Sequence, residues 1–471
     1  MSSDIPQSEA EDFTPPLRYP FLIGQYMATN AIPDAYSVVD GPDCLFFKAE
    51  YIHGKHDIQS TLLDVFGNHR IALTNVNAGN VAKSHGDAVL KKIKQIDALP
   101  NSSLIMVTSL PMVTIIGTQY DTLVRDAQPE TTARLIDCPG RSLQGDWLTG
   151  YSDVLQALAS NMDITDGEPD ARKVAIVGYL MDRTEGDHTA NVKELERMVG
   201  ALGLELVTTW LSGQPYSKLC EIRYAGTILA FPLGRKAAHI MAKRTGARVI
   251  EVDVPFGLSR SRKMIDALAK ATGTEEQARG LVDRELHAMI PKVEWMVPHV
   301  FVGKKIGFSG PADYLGGFLQ IAQELGAEVV HLSAPCSGKH LQEDLTEECP
   351  NPPPVLFEPK LVAIEKELQR INERGIDLIL CNSELRRLMS FGPHTATLEF
   401  GFPSFFYHPL SDQPFIGFRG WLYFVDRMAA ALMRDTSQFQ QQGHQLGDGK
   451  GDKPAVVNLA ASAPAIHAAN I

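Results

Sequence analysis

The sequence predicts an α/β protein of three successive Rossmann-like domains with mainly parallel sheets, and three observations carry that prediction. Short runs rich in Val, Ile, Leu and Thr alternate with amphipathic stretches of about 10–15 residues, the spacing of βαβ units. The alternation falls into three blocks, the first closed by a polar break, SNMDITDGEPDARK, at residues 160–173. The second and third blocks each open on an apolar strand ending in glycine, Lys173-Val174-Ala175-Ile176-Val177-Gly178 and Lys305-Ile306-Gly307-Phe308-Ser309-Gly310. Parallel strands need a crossover connection, usually a helix, so this order puts helices over the faces of each sheet.

The first domain, residues 18–170, has predicted strands at 36–40, 71–74, 104–108 and 134–137, with helices at 80–96 and 146–159. Each strand is a short β-branched or aliphatic run bounded by polar or turn residues. The second, 171–300, has strands at 173–178, 205–208, 227–230 and 248–252, helices at 192–202 and 235–245, and a helical stretch over 260–300. The third, 301–435, has strands at 305–310, 327–332, 378–381 and 398–400, a helix at 314–325 and a last long helix at 420–433. Residues 1–17 read as a disordered leader. Residues 436–471, rich in Gln, Gly and Ala without an apolar stripe, read as a disordered tail.

Composition excludes several function classes. With 471 residues, 44% hydrophobic and 21% charged, the chain is an ordinary globular protein with room for several cores. A net charge of −12 and the lack of a Lys/Arg-rich arm argue against nucleic-acid binding. No apolar run approaches the ~18 residues of a membrane span, and the acidic N-terminus lacks a signal-peptide core. Six scattered cysteines (Cys44, Cys138, Cys220, Cys336, Cys349, Cys381) form no CxxC pair, so neither a disulfide framework nor a self-contained zinc site is expected, and a cytoplasmic setting is. Neither GxGxxG nor GxxxxGK(S/T) occurs, so Gly178 and Gly310 read as plain strand-to-helix turns and this chain binds no ATP of its own.

Cys44 is the leading candidate for chemistry. It closes the turn Gly41-Pro42-Asp43-Cys44 after the first strand, where open α/β sheets gather ligands and helix-start amides favour thiolate. His53 and His56 follow closely enough to line the same cavity as proton donors or hydrogen-bond partners. Cys138 ends another strand of the same domain and is a second, weaker candidate metal ligand. Cys336 and Cys349 read as surface thiols and Cys381 as core. Asp121 and Asp146 read as helix caps, and Arg141 and Arg419 as anion-steering or interface residues.

Several segments, in order, resemble the nitrogenase component 1-type oxidoreductases. Gly401-Phe402-Pro403-Ser404-Phe405-Phe406-Tyr407-His408, followed by Pro414-Phe415-Ile416-Gly417-Phe418-Arg419-Gly420 and an apolar helix, is similar to that family's "GFPxxDR…GYxG" ending. Residues 304–313 and 325–330 resemble its third-domain opening, Cys381-Asn382-Ser383 its "GNS" turn and Val254-Pro255-Phe256-Gly257-Leu258 its "IPMGL" turn. In the first domain, Asp40-Gly41-Pro42-Asp43-Cys44 resembles the cluster-binding "GSQGC" turn. Ile115-Ile116-Gly117-Thr118-Gln119-Tyr120-Asp121 resembles "EVIGDD", and Thr149-Gly150-Tyr151 resembles "VTGY". The resemblance spans about residues 20–435 and is closest to a β-type subunit.

What the resemblance implies is narrower than full nitrogenase. Of three family cluster cysteines only the middle one is matched, by Cys44; residues 20–23 hold no cysteine, and Leu110-Pro111 stands at the third position. The family's Asp-Arg after "GFPxx" is Phe406-Tyr407. The implied cofactor is therefore a four-iron, four-sulfur (4Fe-4S) cluster shared with an α-type partner subunit in an α2β2 heterotetramer. Electrons would come from a separate ATP-dependent iron–sulfur reductase protein and pass to a substrate or cofactor held mainly by the α partner. A metallocofactor assembly scaffold without turnover, or a partner in which Cys44 is structural, fits the same pattern. His394 and His408, flanking the GFP turn, are implied as further cavity-lining candidates.

Overall fold

The computed structural model describes residues 16–49, 52, 62, 68–77, 79–80, 85–110, 113, 117–140, 143–164, 166–182, 186–372, 375–389, 391, 394–407, 409 and 411–445. Its three sheets are parallel at every strand pair given. The first contains β1 (Ala35–Asp40), β2 (Ile71–Leu73), β3 (Leu104–Ser109) and β4 (Arg134–Asp137) in the order β2-β1-β3-β4. The second contains β5 (Asp170–Val177), β6 (Glu205–Thr209), β7 (Ala225–Ala230) and β8 (Arg248–Glu251), ordered β6-β5-β7-β8. The third contains β9 (Lys305–Ser309), β10 (Glu328–Ala334), β11 (Val355–Phe357), β12 (Leu378–Cys381) and β13 (Ala396–Glu399), ordered β11-β10-β9-β12-β13. Every strand expected from sequence is present, and the fold is α/β as predicted.

The longer helices are α1 (Phe21–Asn30), α2 (Gly86–Asp97), α3 (Tyr120–Ala127), α4 (Trp147–Asn161), α5 (Gly186–Gly200), α6 (Arg235–Thr245), α7 (Leu258–Thr272), α8 (Glu275–Val293), α9 (Ala312–Glu324), α10 (Leu361–Asn372), α11 (Ser383–Leu388) and α12 (Gly417–Gln445). Among the described residues, no helix is long and apolar enough to cross a membrane.

The first sheet shows why its strands read as unbroken apolar runs: both faces are covered. Val38, Ile105, Val107 and Leu135 pack with Val89, Ile93 and Ile96 of α2 and with Val124 of α3. Their alternates Val39, Leu104, Met106 and Ile136 belong to the main core with α1 and α4. Successive side chains of a strand point to opposite faces, so one apolar run serves two cores.

Helix α1 was not expected, and it is buried on every side. A helix wrapped in core presents no polar face and so no amphipathic period. It crosses α4 at glycine contact: a Cβ at Gly24 would lie 1.8 Å from the Trp147 carbonyl, and one at Gly150 2.0 Å from that of Phe21. The end of α1 is closed by buried Arg70, whose guanidinium donates to the carbonyls of Thr29 (2.7 Å), Ile32 (2.9 Å), Ala35 (2.5 Å) and Asn30 (3.3 Å).

The described edges of the expected leader and tail, residues 16–17 and 436–445, are ordered. Leu17, assigned to the leader, is buried and its N–H donates to Pro359 O at 2.7 Å. Helix α12 runs to Gln445, into the segment expected to be an unstructured tail; Gln, which dominates there, is a good helix former. The start of α12 is held by α5, where Asn191 Oδ1 accepts from Phe415 N (2.8 Å) and Ile416 N (3.3 Å), and Glu194 Oε1 from Arg419 N (3.0 Å).

Candidate functional site at the C-terminal edge of the first sheet

Cys44 sits in a 3-10 segment, Asp43–Ala49, directly after β1, and it is exposed. The turn that presents it is tied to both neighbouring strands. Leu110 N donates to Asp40 O (3.1 Å) from the end of β3, and Val76 N to Gly41 O (3.0 Å) from beyond β2. Gly41 N donates in turn to Thr74 Oγ1 at 3.1 Å. Tyr26 of α1 reaches across to donate its hydroxyl to Leu45 O at 3.3 Å. Burial lowers the Lys48 ammonium, and the neighbouring Cys44 sulfur opposes that shift. The thiol is thus displayed on a fixed backbone beside a cationic group.

Under this turn lies a carboxylate that sequence reading did not single out. Asp40 is fully buried; its Oδ1 accepts from Thr74 Oγ1 at 2.5 Å and faces His85 Nδ1 at 3.3 Å, while Oδ2 accepts from Tyr120 Oη at 2.5 Å. Burial and then Asp40 itself hold the Tyr120 phenol well above its ordinary range, so it stays protonated and donates. Asp40 and Tyr120 lie in the segments that resemble the family's cluster turn and "EVIGDD", but neither segment showed that their side chains meet. His85 and Thr74 belong to no motif.

The other candidates divide. Cys138 is buried, its N–H bonded to Val107 O (2.8 Å), and burial followed by the charges of Asp137 and Asp153 pushes its thiol far up. Its environment is that of a core thiol. Leu110, at the position of the third family cysteine, is aliphatic and adjoins the turn, 3.5 Å from where a Gly41 Cβ would stand. His394 is exposed just before β13, away from that strand's C-terminal end. His53, His56, Arg141 and His408 lie outside the described residues. Arg419 is exposed on α12. Cys220 is half-buried with its thiol pushed up by burial, and Cys381 is core as expected. Cys336, expected at the surface, is fully buried, and Cys349 is half-buried. The loop carrying Cys336 tucks against α4, with Trp147 Nε1 donating to Pro335 O at 2.9 Å and Ser337 N to Asp146 Oδ2 at 2.8 Å. Asp146 is the α4 cap, its Oδ1 accepting from Thr149 N at 3.0 Å.

Among the described residues, no group of three or more His, Cys, Asp and Glu is placed to hold a metal ion. A cleft of about 690 Å³ opens beside β4, between α3 and α4. It includes Asp137, whose carboxyl is pushed up to about 6 by burial and by Asp121.

The family model described as "Nitrogenase component 1 type Oxidoreductase" matches residues 21–433. The light-independent protochlorophyllide reductase subunit N of Prochlorococcus marinus (strain NATL2A) is 26% identical over 261 residues, covering 53% of this chain and 57% of that one. The nitrogenase vanadium-iron protein beta chain of Trichormus variabilis is 23% identical over 332 residues, 65% and 69% of the two chains. The nitrogenase molybdenum-iron protein alpha chain of Methanothermobacter marburgensis is 23% identical over 208 residues, 43% and 42%. The match to the Prochlorococcus relative thus spans little more than half of its length. Among solved structures, "Nitrogenase Cp1 at pH 6.5" superposes with a TM-score of 0.74 at 17% identity, covering 90% of this chain and 94% of that one, which is a likeness of fold. With the family model spanning most of its length, this chain belongs to the nitrogenase component 1-type oxidoreductase family.

Proposed function

We propose that this chain is the β-type subunit of a nitrogenase-like, ATP-dependent iron–sulfur reductase, with Cys44 as its one ligand to a four-iron cluster shared with an α-type partner. The observation that carries the reading is a single exposed thiol on a stapled turn at the C-terminal edge of the first sheet, with Leu110 adjoining where a second thiolate would be needed. A cluster takes four thiolates as a rule, so one donor fits only as part of a site completed from another chain. The cluster supplies one-electron transfer when bound. This chain's own part is to fix the donor, through the Asp40 network beneath the turn and the α1 and β3 contacts around it.

In this reading the electron donor is a separate ATP-hydrolysing iron–sulfur protein, since this chain has no phosphate-binding loop. The substrate or cofactor sits mainly on the α partner.

Anaerobic purification with the partner chains, followed by iron and sulfide counts and EPR, tests the assignment. Cys44→Ala is expected to lose or alter the cluster signal; unchanged iron and spectrum would remove Cys44 from the ligand set. ATP-dependent substrate reduction by the reconstituted complex separates a reductase from an assembly scaffold, which would carry the cluster without turnover.

A further inference from the structure

The opposite edge of the first sheet offers a second surface. Arg134 N donates to Ser103 O (2.9 Å) and Cys138 N to Val107 O (2.8 Å), so these alternate residues of β4 face β3. In a parallel ladder the residues between them turn their N–H and C=O the other way. Leu135 and Asp137 therefore present main-chain groups outward, at the edge of the sheet. Gln128 caps the upstream part: its Oε1 accepts from Leu135 N at 2.9 Å and its Nε2 donates to Ala133 O at 3.0 Å. Past Gln128 the edge opens on the cleft of about 690 Å³.

The cleft has apolar walls from Val124, Ala157 and Ile240, and three carboxylates toward the end of β4: Asp121 from the first turn of α3, Asp137, and Asp153 from α4. Its two arginines are already engaged. Arg134 donates to Asn161 O at the end of α4, and Arg125 pairs with Asp126 at 3.4 Å. Three carboxylates against two guanidiniums leave the lining negative by one charge, with Asp153 Oδ1 also accepting from Gln156 Nε2 at 3.4 Å. A bare metal ion is disfavoured, because no described trio of donors converges there.

We propose that this cleft seats an extended segment of a protein partner, added as a fifth strand beside β4, with a lysine or arginine directed at Asp121, Asp137 and Asp153. Strand addition draws affinity from main-chain bonds to an exposed edge and specificity from the side chains that alternate into pockets. The volume lies within the ~300–1,000 Å³ typical of specific pockets. Charge complementarity selects a basic segment and rejects an acidic one. The site is independent of iron binding at Cys44, since β3 separates β4 from the strand that carries Cys44.

The test uses the full chain co-produced with its neighbouring gene products. A photo-crosslinking p-benzoylphenylalanine replaces Gln156, which lines the cleft, and in a second variant Ser160, one turn further along α4. Mass spectrometry is expected to locate a crosslink to one segment of a co-purifying partner that contains Lys or Arg. The double change Asp121→Lys, Asp153→Lys should cut its yield about tenfold, and an acidic replacement of the partner's basic residue should restore it. Three outcomes overturn the proposal: yields no higher than from the exposed control position Glu276, crosslinks to this chain's own residues 446–471, or a yield indifferent to the charge reversal.

Discussion

Asp146 Oδ1 lies 2.7 Å from His340 Nε2, so one carboxylate both caps α4 and fastens it to the loop that follows β10. Both side chains are nearly excluded from water. Burial alone would raise the Asp146 carboxyl, but the hydrogen bond and charge of His340, with the N–H groups of Ser337 and Thr149, outweigh it and hold the carboxyl well below its usual range. A depressed carboxyl contributes stability that is complete above its unfolded pKa and lost as pH falls through the folded value. The contribution should therefore be whole above about pH 4 and fail only in stronger acid. Asp146→Ala is expected to cost about 3 kcal/mol, combining a lost cap with a broken buried pair. Urea unfolding of the variant at neutral pH checks this; a change under ~0.5 kcal/mol would deny the contact its role.

Asp313 behaves in the opposite sense. Burial, opposed by His340, Arg235 and Arg260 and aided by Glu343, pushes its carboxyl up to about 7. A raised carboxyl favours the fold below its unfolded pKa, and the advantage disappears as pH climbs through 7. Melting temperature is therefore expected to fall between about pH 4 and pH 7.5, and Asp313→Asn should flatten that slope. At pH 8 the variant should equal or exceed the parent, with up to about 4 kcal/mol at stake at full ionisation. A slope unchanged by Asp313→Asn would assign it elsewhere, Glu324 being the next group to examine, since burial lifts its carboxyl to about 7 as well.

These two residues also mark the limit of what sequence reading could reach. The strands were legible because runs such as Leu104-Ile105-Met106-Val107 are β-prone, and a sheet covered on both faces leaves them unbroken. Asp146 was recognisable as a cap because the α4 pattern begins just after it. Its link to His340 was not, since 194 residues separate them and no periodicity encodes such a pairing. Helix α1 escaped for the opposite reason: Phe21–Asn30 is surrounded by core, so it lacks the polar face that marks a helix. At the candidate site the turn holding Cys44 carried a family signature. Asp40 and Tyr120 stood in family-like segments and Thr74 and His85 in none, but no sequence signal showed that the four converge beneath it.

Arg70 is a fully buried cation near that site. Four carbonyls at and beyond the end of α1 converge on its guanidinium. A cation at a helix C-terminus is favoured by the macrodipole, and only a planar fork serves several acceptors at once. Arg70→Met should cost about 3 kcal/mol or more, by leaving buried acceptors unmet. Arg70→Lys should recover little of it. Full recovery by lysine, measured by thermal unfolding, would contradict the requirement for the fork.

The crossing of α1 and α4 makes the sharpest steric prediction. A Cβ at Gly24 would stand 1.8 Å from Trp147 O and 2.5 Å from Tyr151 N. Both are backbone atoms of α4, so no rotamer change can relieve the overlap, and the helices must separate. Overpacking of this kind costs about 3 kcal/mol, and Gly24→Ala is expected to destabilise by at least that much. Because α1 runs into β1, and Tyr26 of α1 donates to Leu45 O beside Cys44, the separation should also loosen the turn that displays the thiol. The rate at which Cys44 reacts with a maleimide, measured below the melting transition, reads that loosening directly. Gly200→Ala is the matched control: nothing lies within 4 Å of its Cβ position and the site is helical, so the change should be neutral or stabilise by about 0.5 kcal/mol. Equal unfolding curves for Gly24→Ala and Gly200→Ala would refute the close crossing.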